Sequence, residues 1–152
     1  LEHVYYITPQ QVERVKREDR WVVYTPSYAL NDELLFKFSP HDKEGSLREK
    51  EIICRCLSGA IEGELKFGIG TDGLHAGLAQ EACYIAGLGA KNRDVLAGIT
   101  INAARLCGVD ESTGSIAEGK AADLVVLEKD PLENVEALKG VQSVIQDGVV
   151  IR

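Results

Sequence analysis

The residues best suited to chemistry lie in one stretch, Phe67-Gly68-Ile69-Gly70-Thr71-Asp72-Gly73-Leu74-His75. The apolar run from Leu65 to Ile69 reads as a short buried strand. Gly70-Thr71-Asp72-Gly73 halts it and leaves a carboxylate at its tip. Glycine lets the backbone turn sharply and lets a metal or substrate come close. A carboxylate there can bind a divalent ion or take a proton from an activated water. The same residues also suit a plain strand-to-helix turn in which Asp72 only caps the next helix. Nine residues by themselves favour the plain turn, so the rest of the chain has to decide.

Composition narrows the classes. The chain has 152 residues, room for one domain or parts of two, and 45% of them are hydrophobic. A net charge of −7 argues against nucleic acid as a partner. No apolar run reaches membrane-spanning length, so no membrane partner is expected. No secretory signal pattern opens the chain. The opening Leu1-Glu2-His3, in a sequence without methionine, suggests a processed, engineered or shortened polypeptide. Cys54, Cys56, Cys83 and Cys107 form no CxxC pair, which disfavours a structural zinc site. Single cysteines in apolar surroundings suit a reducing compartment, and a cytoplasmic location is expected.

The elements that must position the candidate carboxylate follow a βα rhythm. Residues 1–7 read as a strand end and its loop. Thr8-Pro9-Gln10-Gln11 starts a helix that runs to about Arg17. Trp21-Val22-Val23-Tyr24 is a strand ended by Thr25-Pro26-Ser27. Residues 28–45 read as a long irregular loop of the kind that carries function. Ser46 is expected to cap a helix over about 47–59, with Leu47, Ile52, Ile53, Cys56 and Leu57 on one face. The strand to Ile69 follows. Two further helices are expected, over 78–88 and about 94–107, the second stopped by Gly108. Near Gly114 the character changes. Ala121 to Leu127 reads as a strand, and Asp147-Gly148 is a hairpin signal between Val141–Ile145 and Val149–Ile151.

In order, these residues resemble the C-terminal part of metal-dependent amidohydrolases, the imidazolonepropionase-like and prolidase-like branch. Leu1-Glu2-His3 is similar to the family's sixth-strand ending, Thr25-Pro26-Ser27 to the seventh, and Gly70-Thr71-Asp72 to the eighth. Thr100-Ile101-Asn102-Ala103-Ala104-Arg105 is similar to its Thr-x-Asn-x-Ala helix. Gly114-Ser115-Ile116-Ala117-Glu118-Gly119-Lys120-Ala121-Ala122-Asp123-Leu124-Val125-Val126-Leu127 carries its most distinctive signature. Gln146-Asp147-Gly148-Val149-Val150 is similar to its closing hairpin. Each motif alone is weak; the series at these spacings is strong.

The resemblance implies an α/β fold: the last βα units of a TIM-type barrel, about strands six to eight, over 1–112. Part of a small antiparallel β-sandwich would follow over 113–152. It implies His3 and Asp72 as metal ligands, Asp72 also as general base, and a divalent metal, zinc by expectation. Imidazole and carboxylate are suitable donors for such an ion. The implied reaction is hydrolysis of a C–N bond in a small-molecule amide, cyclic amide or peptide substrate. His75, Thr25 and Ser27 could line the substrate pocket, though His75 reads slightly better as a polar loop residue. Tyr24 is expected in the core and His41 in solvent.

A complete barrel takes about 250 residues. The family's first-strand His-x-His and the ligands of its fourth and fifth strands have no counterpart here. A catalytic zinc usually takes three protein ligands. The isolated chain is therefore expected to be inactive, and to pair with the missing barrel half or form a homo-oligomer. The competing expectation is a non-catalytic, self-associating α/β fragment without bound metal. No phosphate-binding glycine motif supports a nucleotide-binding domain.

Overall fold

Local chemistry starts the first element. In a computed structural model describing residues 1–34, 42–73 and 77–152, helix α1 spans Pro9–Arg17. Thr8 and Gln11 form a reciprocal capping box, with the Thr8 amide donating to Gln11 Oε1 at 2.8 Å. Val12 and Val15 are its buried residues, one turn apart on the inner face.

Strand β1 (Trp21–Tyr24) and strand β2 (Lys66–Ile69) pair in parallel, with Val22 opposite Phe67 and Tyr24 opposite Ile69. Glu2 adds a single parallel bridge to Val23 on the other side of β1. Parallel neighbours need a long crossover. Here it includes helix α2 (Ser27–Leu30) and helix α3 (Lys43–Glu62). Leu57 and Ala60 on α3 are fully buried against the sheet's core.

Three expectations are corrected in this region. Residues 28–45 are not wholly irregular, since α2 begins immediately after Pro26 and α3 already at Lys43. Asp42 caps α3 in place of Ser46, because its Oδ1 accepts from the Gly45 amide at 2.8 Å. The Ser46 hydroxyl, one turn in, donates to Asp42 O instead. Leu47 and Ile52 face outward, while Ile53 and Leu57 face inward. His41 and His75 lie outside the described residues.

Helix α4 (Leu78–Gly87), helix α5 (Asn92–Ile99) and helix α6 (Ile101–Cys107) follow β2. The single helix expected over 94–107 is thus two helices. The break is Thr100, at φ −126° and ψ −102°, whose hydroxyl donates to Leu96 O at 2.6 Å. The turn of α6 brings the Asn102 side chain to within 3.0 Å of Phe67 O in β2. Close approach is permitted by glycine: a Cβ on Gly98 would stand 2.9 Å from the Phe67 ring. Gly108 ends α6 in the left-handed conformation, φ 69°.

The tail is antiparallel. Strand β3 (Leu124–Leu127), strand β4 (Val141–Gln146) and strand β5 (Val149–Val150) form one sheet in that order. A 3-10 helix, Val135–Lys139, packs Val135 into the main core. Asp147 and Gly148 both take positive φ, 49° and 79°, as a tight hairpin of this twist demands. β3 begins at Leu124 and not at Ala121, since the Ala121 amide turns back to Ser112 O. Val125, Val126, Val149, Val150 and Ile151 of this sheet remain exposed. Among the described residues no helix is long and apolar enough to cross a membrane.

Candidate functional site

The C-terminal ends of β1 and β2 and the N-terminal segment beside them meet at one rim. Each strand end stops for a local reason. Pro26, following Thr25, has no amide to extend the ladder. After β2, the Gly70 amide still reaches Tyr24 O at 2.9 Å, and then Asp72 and Gly73 turn at φ 45° and 85°. His3 and Val4 likewise take positive φ, 66° and 47°. For a β-branched residue such as Val4 that conformation is strained, so surrounding contacts must hold it.

These turns bring His3 and Asp72 together, with Nδ1 and Oδ2 3.9 Å apart and both side chains over two-fifths exposed. The pair sits where solvent and a ligand can reach it. His3 is tied from behind: its Nδ1 lies 2.8 Å from Thr25 Oγ1. Tyr5 braces the same residue, donating its hydroxyl proton to Thr25 O at 2.6 Å and lying 3.1 Å from Thr25 Oγ1. Burial, opposed by the hydrogen bond to Thr25, raises the Tyr5 pKa and keeps the phenol protonated. Tyr28, on α2, donates to Asp72 O at 3.2 Å.

Thr25 and Ser27 are nearly fully buried, 3% and 4% exposed, so they stand behind the rim and not on its surface. Thr25 spends its hydroxyl on His3 and Tyr5. The Ser27 amide donates to Glu81 Oε2 at 2.9 Å. Glu81, on α4, is completely buried, and its Oε1 has no hydrogen-bond partner among the described residues. Burial raises its pKa; the hydrogen bonds from Ser27 pull it down and the charge of Asp72 pushes it up. Tyr24 is core, fully buried against Phe67 at 5.3 Å between ring centroids.

Sequence reasoning did not single out Tyr5 or Glu81. Glu81 carried a signal: it is the one charged residue in the helix Leu78–Gly87. Tyr5 carried none beyond standing two residues past His3.

An imidazole and a carboxylate are donor types of a zinc-type centre, and the rim brings one of each together. Among the described residues no group of three or more His, Cys, Asp or Glu side chains is placed to hold a metal ion. Among the described residues the rim therefore supplies two donors of such a site. The four cysteines are free thiols, and none belongs to the rim. The large clefts at the opposite ends of the strands, about 830 and 960 Å³, are lined by Trp21 together with Lys66 and Arg93, or with Leu1 and Glu18.

Comparison with solved structures matches nearly the whole chain. A Xaa-Pro dipeptidase with methionine bound in its active site superposes with a TM-score of 0.85 at 24% identity, covering 99% of this chain and 39% of that one. The A. niger ochratoxinase gives 0.81 at 26% identity, covering 100% and 36%. An amidohydrolase from Thermotoga maritima gives 0.70 at 22%, covering 99% and 36%. The chain thus spans under two-fifths of the length of these three proteins. No curated protein sequence matches it. The sequence profile of the amidohydrolase family matches residues 1–151. With that match running through the rim residues, the three following helices and the terminal hairpin, the chain belongs to the amidohydrolase family.

Proposed function

We propose that this chain is the distal part of a metal-dependent hydrolase that cleaves the C–N bond of an amide, cyclic amide or dipeptide. The observation that carries the reading is the meeting of His3 and Asp72, 3.9 Å apart at the rim. A divalent ion such as zinc, when bound there, would polarise the carbonyl and bring the pKa of water towards neutrality. His3 supplies an imidazole donor held from behind by Thr25. Asp72 supplies a carboxylate donor and, as general base, takes the proton from the attacking water. It then delivers that proton to the leaving nitrogen. His75 is proposed to contact substrate; Thr25 and Ser27 act from behind the rim.

In this reading the Glu2 bridge, β1 and β2 are the last three strands of a TIM-type barrel, and β3–β5 are part of a β-sandwich. Their parallel and antiparallel order supports it. The missing barrel half would bring the remaining metal ligands, in a cytoplasmic enzyme. Cobalt titration tests the donor pair. We expect weak binding by this chain, abolished in His3→Ala and Asp72→Ala, with no amide hydrolysis. Tight stoichiometric zinc binding with hydrolysis by the chain alone would overturn the incompleteness. Cobalt binding untouched by both substitutions would overturn the site.

A second reading is a self-associating fragment without metal. The exposed Val125, Val126, Val149, Val150 and Ile151 favour it. Sedimentation separates the two: a homo-oligomer with no cobalt response supports this reading against the first.

A further inference from the structure

The hydroxyl protons around His3 can be counted. Thr25 O is a carbonyl and only accepts, so the Tyr5 proton is spent on it at 2.6 Å. The 3.1 Å contact between the Tyr5 and Thr25 hydroxyls is open to either proton, and giving each contact its own assigns it the Thr25 proton. In that assignment Thr25 Oγ1 accepts from Nδ1–H of His3, 2.8 Å away. With one proton for each contact, a neutral His3 carries its hydrogen on Nδ1 and leaves the Nε2 lone pair free. That is the form in which an imidazole can donate to a metal through Nε2 while its other nitrogen is anchored.

The arrangement depends on where Thr25 stands, and its neighbour Ser27 is gripped from another helix. Glu81 reaches across from α4 to the Ser27 amide, 54 residues earlier. A carboxyl group with no exposure and one oxygen unpartnered among the described residues is a costly way to fill a core position. Apolar neighbours Ala82 and Ile85, both fully buried, would accept a leucine there more cheaply. Among the described residues, Ser27 is the one to which the carboxyl group hydrogen-bonds, and it lies in the turn that presents Thr25.

We propose that Glu81 is a positioning residue: its buried carboxyl group clamps the Thr25-Pro26-Ser27 turn, and the turn holds His3 as the tautomer with a free Nε2. The claim rests on this hydrogen-bond geometry and needs neither metal nor substrate, so it can fail while the hydrolase reading survives, and the reverse. The test is nitrogen-15 NMR of the imidazole in this chain at about pH 8, where an ordinary imidazole is neutral, with amide exchange of Ser27, Val22 and Leu57.

In the wild type we expect a protonated Nδ1, an unprotonated Nε2 and a protected Ser27 amide. Glu81→Gln, which keeps an accepting oxygen, should preserve all three. Glu81→Leu should mix the tautomers and speed Ser27 exchange about tenfold, the loss of one buried hydrogen bond, while Val22 and Leu57 stay protected. Thr25→Val should mix the tautomers with Ser27 still protected. Three results would each overturn the proposal: a wild-type proton on Nε2, a Glu81→Leu protein with unchanged His3 and Ser27, or one in which Val22 and Leu57 also lose protection. The last would make Glu81 a general stabilising residue.

Discussion

Asn102 offers the sharpest test of how the helices set the strand that leads to Asp72. Its Nδ2 donates to Phe67 O at 3.0 Å, in a strand whose Phe67 is buried. Removing the donor leaves a carbonyl in a dry place. A net hydrogen bond is worth about 0.5–1.5 kcal/mol, and an abandoned buried acceptor about 1–3 kcal/mol. Asn102→Ala should therefore cost about 1–3 kcal/mol in urea denaturation. For a chain of this length that is a fall in Tm of about 2–4 °C per kcal/mol. Asn102→Asp separates this hydrogen bond from packing. An ionised carboxylate would face the carbonyl and be repelled, whereas a protonated one could donate its O–H. The folded pKa of the introduced carboxyl group should therefore rise above the unfolded value of about 3.9. The contact would be present below that value and lost as pH rises through the folded pKa. The Asn102→Asp protein should approach wild-type stability near pH 4 and fall behind towards pH 7, each pH measured against wild type. A cost for Asn102→Ala below about 0.5 kcal/mol would refute the argument, as would an Asn102→Asp protein whose deficit does not change with pH.

Further outcomes follow from the same structure. Glu81, whose pKa is raised by burial, stabilises the fold most below its unfolded pKa and loses that contribution as pH rises through the folded one. Glu81→Gln, which keeps an acceptor without a charge, should therefore gain on wild type as pH rises, read as a widening gap in denaturation midpoints. Gly98→Ala would drive a methyl group to 2.9 Å from the Phe67 ring and 3.3 Å from Ile69. The expected loss is about 1–2 kcal/mol in urea, even after the helical gain of alanine over glycine. Leu57→Ala empties a fully buried position on α3 and should cost about 2–5 kcal/mol by the same measurement.

Much of the local structure was legible because its causes are short-range. Thr8 and Gln11 cap α1 across three residues, Gly108 ends α6 with its own φ, and Asp147-Gly148 closes the hairpin between β4 and β5. Each signal involves residues within a turn of one another, so a linear reading contains it. Misreadings arose where two local solutions competed. Asp42 and Ser46 could both cap α3, and the earlier residue gained the helix a further turn. Thr100 reads locally as a helix interior, but the chain bends there and Asn102 beyond the bend donates to Phe67 O, 35 residues earlier.

By itself, the sequence determined the order and type of most elements and put a carboxylate just past a strand end, at Asp72. Resemblance then paired it with His3. The tertiary structure alone decided how that pair is built. Parallel alignment of the N-terminal segment with β1 and β2 sets Nδ1 of His3 3.9 Å from Oδ2 of Asp72, and packing of α4 behind them sends Glu81 to the Ser27 amide. The hydrogen bonds that build the site join His3 to Thr25 and Ser27 to Glu81, 22 and 54 positions apart. Hydrophobic periodicity records which face of an element is buried, but not which distant element covers it. The distances that turn a histidine, a threonine and two carboxyl groups into one site therefore exist only in the folded chain.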